Sequence, residues 1–332
     1  MYKPRYSVIL GNVGSCMDRY VGGGYGAKFT VDELFSRVAS IEGVSGVELV
    51  GTWHITPETA ADVKKQLDRT GLELISIIPD HFGEAKWGKG AFSSKDAGIR
   101  REAVESACAL MDVSSSLGCN LISLWPGQDG FDYPFQGDYI RERTWFEEGV
   151  ARLCEYNRNM KIAIEYKPKE PRTHSYPANV YSALMIVQSI GAANCGVTID
   201  YGHALVAGEN VAESVAVLKK YGDKLFHVHM NDCYGYWDDD MITGSIHTIP
   251  YVEFFYWLKK TGYTDWVSTD QYPYREDGRN AVNESIRWFD IFVEIVNRID
   301  EKEMDDMLSR GDACEMSAYL RELLFGHLND RS

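Results

Sequence analysis

Long hydrophobic runs are missing from the sequence: no segment of 18 apolar residues occurs, and no apolar core follows the first few residues. We therefore expect neither a membrane-spanning helix nor a secretory signal. Cys-x-x-Cys pairs are also missing, and the seven cysteines are odd in number. This pattern favours free thiols in a reducing compartment over a disulfide framework. The expected location is the cytoplasm, with no membrane partner.

Positive charge is scarce. Lys and Arg number 34 against 49 for Asp and Glu, which gives a net charge of −15. A nucleic-acid backbone is therefore not an expected partner. Hydrophobic residues make up 45% of the 332 residues, so the chain can bury a large core without disulfide bonds. The acidic excess favours solubility, and part of it could serve a metal site.

No Gly-rich phosphate fingerprint follows the first predicted strand, which disfavours a doubly wound open sheet. Instead, short apolar segments alternate with segments of helical periodicity, and a helical crossover implies parallel pairing of the strands. The predicted strands are 6–10, 46–50, 72–78, 120–125, 161–165, 196–200, 225–229 and 266–270. Eight such units predict an α/β (β/α)₈ TIM barrel over residues 1–299, with the doubly wound sheet as the alternative.

Two helix starts and the C-terminal segment complete the predicted architecture. Thr30 is expected to cap the first helix, and Thr56 to cap a second helix that begins at Pro57. Residues 300–332 are highly charged and helical in period, which predicts a C-terminal helical extension. This extension either packs on the exterior of the barrel or contacts another subunit, and we expect a homo-oligomer, a dimer or a tetramer.

Polar residues end the last four predicted strands: Glu165, Asp200, His229 and Asp270. TIM barrels place functional side chains at these strand ends, where they converge on one axis. Three carboxylates cannot stay ionised together without a cation, so the pattern predicts a divalent-metal site. The oxygen-rich set favours Mg²⁺ or Mn²⁺, and the imidazole favours Mn²⁺ or Co²⁺ over Mg²⁺. Zn²⁺ is less expected, because it more often has two or three His or Cys ligands.

A second polar group follows in the sequence. His203 comes three residues after Asp200, while Asp238 and Asp240 point to one side of an extended segment. With Asp200 as a bridge, these residues would hold a second cation, and paired cations can clamp two oxygens of a reacting group. For each residue alone, a surface carboxylate or a hydrogen-bonded imidazole is the plainer interpretation. His227 is expected one layer deeper in the barrel, as a structural residue.

Lys167 lies two residues after Glu165, on the same face of the strand. A Lys among anionic ligands can polarise a carbonyl oxygen; the alternative is an ion pair with Glu170. Three aromatic side chains either form an apolar wall of the site or pack in the core: Trp125, Trp87 and Phe82.

Several segments, in order over about residues 70–280, resemble the xylose isomerase family and its relatives, including rhamnose isomerase. They are Lys89-Gly-Ala-Phe-Ser-Ser-Lys-Asp96 with Arg100, Trp125-Pro-Gly-Gln-Asp-Gly130, Glu165-Tyr-Lys167-Pro-Lys-Glu170-Pro171, Asp200-Tyr-Gly-His203, and His227-Val-His229 followed by Asp238-Asp-Asp240. The resemblance implies a metal-dependent sugar isomerase that interconverts a free aldose and a ketose by a hydride shift between C1 and C2.

The resemblance also implies roles by position. The first cation would be held by Glu165, Asp200, His229 and Asp270, and the second by Asp200, His203, Asp238 and Asp240. Lys167 would contact the C1 oxygen and Trp125 would shield the hydride path, with Trp87 and His203 also at the substrate. The ring-opening His of the family would be His54, but Pro57 stands where the family has an Asp, so His81 is a rival.

Three alternative functions stay open at this stage. A ketose 3-epimerase would use Glu165 and Asp270 as paired bases around one metal ion. An abasic-site endonuclease on the same barrel would need a basic groove and further His ligands, which the net charge of −15 disfavours. A metal-binding protein without catalysis is the third.

Overall fold

Eight parallel strands close into a barrel in the computed structural model, which describes residues 1–326. The strands are β1 Arg5–Ile9, β2 Val44–Val50, β3 Glu73–Ile78, β4 Leu121–Leu124, β5 Lys161–Glu165, β6 Cys195–Asp200, β7 Leu225–Met230 and β8 Trp266–Thr269. Each strand pairs with its neighbours in chain order, and β8 closes on β1. The predicted (β/α)₈ barrel is therefore confirmed, and the open-sheet alternative is wrong.

Helices surround the barrel and cover its apolar outer face. They are α1 Val31–Ala39, α2 Ala60–Thr70, α3 Ala97–Ser116, α4 Tyr139–Tyr156, α5 Val180–Ile190, α6 Tyr201–Val206, α7 Val211–Lys220, α8 Thr248–Thr261 and α9 Gly278–Arg298, followed by α10 Glu301–Arg310 and α11 Ala313–Phe325. Within residues 1–326, no helix is long and apolar enough to cross a membrane.

The first helix start is as predicted and the second is not. Thr30 and Glu33 form a capping box at the start of α1. Helix α2 begins at Ala60 with Thr59 as its N-cap, not at Pro57 behind Thr56. Residues 56–59 instead form a separate turn, in which the Thr56 N–H donates to the Thr59 hydroxyl over 2.9 Å. This turn postpones the helix by three residues.

Polar side chains fill much of the barrel interior. Ser7 donates to Ser268 over 3.0 Å, and the hydroxyls of Ser123 and Thr198 are 3.2 Å apart. Oε1 of Glu48 lies within hydrogen-bond distance, 2.9 Å, of Nε2 of His227 in the same interior. Bulky branched apolar residues usually fill this space in TIM barrels. This barrel therefore has polar contacts in the layers of its interior that lie beneath the C-terminal ends of the strands.

Two helices, α10 and α11, form the part of the predicted C-terminal extension that the structure describes. Helix α10 buries Met304 and Met307 in the main core, and Glu301 lies 3.4 Å from Lys259 of α8. This helix packs on the exterior of its own barrel. Helix α11 has no fully buried residue, but Met316, Tyr319, Leu323 and Leu324 pack against the same core. A subunit contact through its exposed face stays a prediction, as does the domain boundary at residue 300. Residues 327–332 of the predicted extension lie outside the described residues.

Candidate metal centre

A cavity of about 650 Å³ opens at the C-terminal ends of the strands. One side of it is lined by charged residues from β5 to β8 and the loops that follow: Glu165, Lys167, Glu170, His203, Asp238, Asp240 and Asp270. The opposite side is mostly apolar and comes from β1 to β4: Ile9, Val50, Ile78, Phe82 and Trp125, with Trp53 and His54 after β2. The charged and the apolar halves together form one site, at the end of the barrel where TIM barrels place their chemistry.

The first predicted ligand set converges in this cavity. One ligand atom from each of Glu165, Asp200, His229 and Asp270 lies within 4.8 Å of the others. Asp200 and His229 are register partners on the adjacent strands β6 and β7, which places them side by side. Nδ1 of His229 is 3.2 Å from Glu165 Oε2 and 3.3 Å from Asp270 Oδ2.

The buried Nδ1 of His229 has no hydrogen-bond partner among residues 1–326. It points into a group of carboxylates, which are the ligands that hard divalent cations prefer. A buried polar atom without a partner is costly unless something satisfies it. The residues present therefore fit a divalent ion, with three carboxylates and one imidazole nitrogen available as ligands.

Three of the four residues predicted for a second ion also come together: Asp200, His203 and Asp238. Nε2 of His203 is 3.1 Å from Asp238 Oδ2, and its Nδ1 lies 3.0 Å from the Tyr166 carbonyl. That carbonyl can only accept a hydrogen bond, so it favours a proton on Nδ1 and leaves Nε2 to face the site. Asp240 lines the same cavity but is outside this group. Its role as a fourth ligand stays a prediction.

Lys167 lines the cavity beside the second ligand group. Its Nζ is 2.7 Å from Asp238 Oδ2 and also pairs with Glu170. The ammonium lies 5.3 Å from the centre of the Trp125 ring. The predicted contact with the sugar and the alternative ion pair with Glu170 are therefore compatible, because the same side chain is both paired and inside the cavity.

Asn231 connects the ligands, and its role was missed in the sequence. Its Nδ2 donates to Asp200 Oδ2 over 3.0 Å and to the Asp270 carbonyl over 2.8 Å. Its Oδ1 accepts from the Gly202 N–H over 2.9 Å. A Cβ on Gly202 would lie 2.3 Å from this Oδ1, which explains the glycine in Asp200-Tyr-Gly-His203. The only signal in the sequence was a polar residue directly after a buried strand.

The charges of the site oppose one another. Burial, together with Asp238, Glu165 and Asp270, raises the pKa of Asp200 to about 7, against the opposing effect of His203. Burial also raises the pKa of Asp240 and that of Asp270. Without a cation, protons therefore compensate part of the negative charge. A divalent ion would replace those protons.

Positive groups stabilise the other members of the site. Burial lowers the pKa of His203, but the Asp200 and Asp238 charges outweigh burial and raise it to about 9. Burial works against ionisation of Asp238, yet Lys167 and His203 hold its pKa below the ordinary value. Asp238 is thus an anion under all ordinary conditions, as a metal ligand must be.

Of the three aromatic residues predicted for the site, Phe82 and Trp125 line the apolar side of the cavity and Trp87 does not. Phe82 and Trp125 contact each other with ring centres 4.6 Å apart and both line the cavity. Trp87 does not join them. It is buried in the core, edge to face against His81 at 5.0 Å. The predicted contact of Trp87 with a substrate is therefore corrected: the ring lies in the core, at the end of the short helical turn Ala85–Trp87, and does not line the cavity.

Of the two candidate histidines for ring opening, only His54 lines this cavity. Its Nδ1 accepts from the Val50 N–H over 3.0 Å. Burial lowers the pKa of His54 to about 4, so the ring is neutral and Nε2 can donate. His81 is buried between Trp87 and Phe92 and hydrogen-bonds to Ser106 over 2.9 Å. Geometry therefore favours His54.

A model of the xylose isomerase-like TIM barrel matches residues 35–291. This match covers most of the chain and includes every strand from β2 to β8. The chain belongs to the xylose isomerase-like TIM barrel family. Membership agrees with the closed barrel and with the family predicted from the sequence.

Curated relatives in this family include two xylose isomerases. The one from Thermus thermophilus is 30% identical over 174 residues, which cover 51% of this chain and 45% of that protein. The one from Roseobacter denitrificans is 25% identical over 190 residues, covering 55% and 43% of the two chains. The matched part thus spans less than half the length of these relatives.

Solved structures share the fold over almost their whole length. A D-tagatose 3-epimerase-like protein superposes with a TM-score of 0.68 at 21% identity, covering 88% of this chain and 99% of that one. D-allulose 3-epimerase from Methylomonas sp., in complex with D-allulose, gives a TM-score of 0.67 at 16% identity over 87% and 97% of the two chains. At these identities the likeness shows the fold alone.

Proposed function

We propose that the protein is an enzyme acting on free sugars, a divalent-metal-dependent isomerase that interconverts an aldose and a ketose. The observation that carries the proposal is the pair of adjoining ligand groups that share Asp200, with Lys167 beside them. Glu165, Asp200, His229 and Asp270 would hold one ion; Asp200, His203 and Asp238, with Asp240 nearby, would hold the other. The xylose isomerases among the relatives support this class of reaction.

The bound ions would polarise the oxygens on C1 and C2 of the sugar and favour a hydride shift between these carbons. Lys167 would donate to the C1 oxygen as negative charge develops there, because its ammonium is fixed by two carboxylates. Trp125 and Phe82 would cover the reacting carbons and exclude water. His54 would donate from Nε2 to the ring oxygen and so assist ring opening, in its neutral form.

The chemistry of the ligands narrows the choice of metal. Three carboxylates and one imidazole at the first group favour Mn²⁺, Mg²⁺ or Co²⁺. Zn²⁺ is the weaker candidate, because it prefers more nitrogen or sulfur ligands.

A panel of free aldoses and ketoses, each incubated with added Mn²⁺, Mg²⁺ or Co²⁺, tests this function. We expect aldose–ketose interconversion that stops when EDTA is added and returns with the preferred ion. Turnover that persists after complete removal of divalent ions would contradict the proposal. Absence of turnover of every sugar would contradict it as well.

A ketose 3-epimerase is the second candidate, because Glu165 and Asp270 approach Nδ1 of His229 from strands β5 and β8. They could act as two bases around one ion. Lys167 and the second ligand group have no role in that reaction, which favours the isomerase. Hydrogen exchange with solvent at C3 of a ketose, without any at C1 or C2, would decide for the epimerase.

A further inference from the structure

Glu48 of β2 lies directly below the candidate metal centre and contacts both imidazoles of β7. Its Oε1 is 2.9 Å from Nε2 of His227, and its Oε2 is 3.4 Å from Nε2 of His229. All three side chains are buried. We propose that Glu48 is a positioning residue, which orients the ring of His229 so that Nδ1 stays free as a metal ligand. This inference rests on the proposed function, since it assumes an ion at the first ligand group.

The two nitrogens of His229 have different surroundings. Nε2 faces Glu48, whereas Nδ1 faces Glu165 and Asp270 and has no hydrogen-bond partner in the part of the chain that the structure describes. An imidazole that binds a metal is neutral and carries one N–H, and a carboxylate can only accept it. Glu48 therefore places the hydrogen on Nε2 and the lone pair of Nδ1 towards the site. Carboxylates that hold the far nitrogen of a metal-binding His fix its tautomer and raise its basicity.

Glu48 is itself held in place across the barrel. Ser76 of β3 donates to its Oε2, and His227 holds its Oε1. Strands β2 and β7 are not neighbours in the barrel, so the contact passes through the interior. A buried polar cluster that includes a carboxylate is seldom more stabilising than apolar residues of the same volume. A role in stability alone does not explain Glu48, whereas orientation of His229 does.

A second interpretation of this cluster is an additional ion. Single ligand atoms of Glu48, His227 and His229 lie within 4.8 Å of one another. However, the 2.9 Å separation of Glu48 and His227 is a hydrogen-bond distance with no space between the atoms. An ion there would also compete for His229 with the first ligand group. We therefore assign the cluster to positioning.

Glu48→Gln tests the inference, with Ser123→Ala as the matched control. Ser123 belongs to the same polar interior but contacts Thr198 and not His229. Titration of each metal-free protein with Mn²⁺ by calorimetry gives the affinity of each site. We expect the tighter of the two sites to lose about 10- to 100-fold in affinity in Glu48→Gln, the range for a partner of a metal-binding His. The second site and the Ser123→Ala protein should be unchanged.

The tautomer of His229 gives an independent measurement. In ¹⁵N-labelled protein loaded with diamagnetic Mg²⁺, NMR should show a protonated Nε2 and a non-protonated Nδ1 in the wild type. Glu48→Gln should show a mixture, because an amide can face Nε2 with either its oxygen or its NH₂ group. A drop in melting temperature with unchanged Mn²⁺ affinity would overturn the inference, and so would a loss of one bound ion per chain. Either of these two outcomes would contradict the role of Glu48 but would not contradict the proposed isomerase function. A wild-type protein that binds no Mn²⁺ would overturn both the role of Glu48 and the proposed function.

Discussion

Asp238 illustrates the balance of charge at the scale of single residues. One of its oxygens faces both Lys167, at 2.7 Å, and His203, at 3.1 Å. Its other oxygen, Oδ1, is buried and has no hydrogen-bond partner within the described residues 1–326. The carboxylate is therefore neutralised by protein cations but retains one oxygen for an ion. An ion at the second group must compete with Lys167 for Asp238, so we expect the second site to bind more weakly than the first.

Lys167→Met should separate catalysis from metal binding. Removal of the ammonium removes the donor for the C1 oxygen, and we expect kcat to fall about 100- to 1,000-fold, as for the loss of one fixed donor to a developing oxyanion. Mn²⁺ affinity at the second site should rise, because Asp238 loses a competing cation. Steady-state kinetics and calorimetry measure the two effects.

Lys169→Met is the matched control for this change, since Lys169 is exposed two residues further along. It should leave both kcat and Mn²⁺ affinity unchanged. Full turnover in Lys167→Met with both ions bound would contradict the role of Lys167.

At the scale of elements, the junction of β6 and α6 holds the centre of the site together. Asp200 ends β6 and caps α6 through the His203 N–H, at 2.8 Å. Gly202 brings the backbone against Asn231, which in turn holds Asp200. The turn Asp200–His203 therefore carries two candidate ligands, Asp200 and His203, and its Gly202 holds Asn231, which orients Asp200. Helix α6 was not predicted, because its six residues are too few for a periodic pattern.

Gly202→Ala tests this junction. Its Cβ would lie 2.3 Å from Asn231 Oδ1 and 3.1 Å from Asp238 Oδ1, so Asn231 must move. We expect the melting temperature to fall by several degrees, corresponding to about 1–3 kcal/mol for an overpacked site, and the Mn²⁺ affinity to fall with it. Gly26→Ala serves as the control, since its Cβ meets only ordinary contacts with Ser15. Equal behaviour of the two variants would contradict this account.

The elements and the first ligand group were predictable for a shared physical reason. Apolar periodicity identified the eight barrel strands but not the three short strands Gly130–Phe131, Lys169–Glu170 and Thr173–Ser175 of a separate small sheet. Parallel strands of a barrel bring their carboxyl ends together. Glu165, Asp200, His229 and Asp270 could therefore be grouped before any coordinates were known. Glu48 and Asn231 were missed, because their partners lie across the barrel or at the start of another loop. A carboxylate within the apolar strand Gly46-Val-Glu48-Leu-Val was the available signal for Glu48.

At the scale of the whole molecule, buried histidines couple stability to pH. Burial lowers the pKa of His81 to about 4, and that of His54 to about 4 as well. A depressed pKa in the folded state contributes stability above the ordinary value of 6.5, and this stability is lost as pH falls towards 4. Each ring can account for on the order of 3 kcal/mol across that range.

His81→Gln should therefore flatten the pH dependence of unfolding. We expect the free energy of unfolding to fall less between pH 6.5 and pH 4 in the variant than in the wild type. Denaturant titrations at several pH values measure the slope, with the exposed His174→Gln as a control. An unchanged slope in His81→Gln would contradict the assignment of this acid sensitivity to His81.

The fate of hydrogen at C2 tests the central claim most directly. An aldose that the protein converts is prepared with deuterium at C2 and incubated with the Mn²⁺-loaded protein in ordinary water, and the ketose is analysed by NMR. The account predicts that the deuterium appears at C1 of the ketose, since the hydride moves between the carbons without entering solvent. Complete loss of the label to water, or exchange confined to C3, would contradict it.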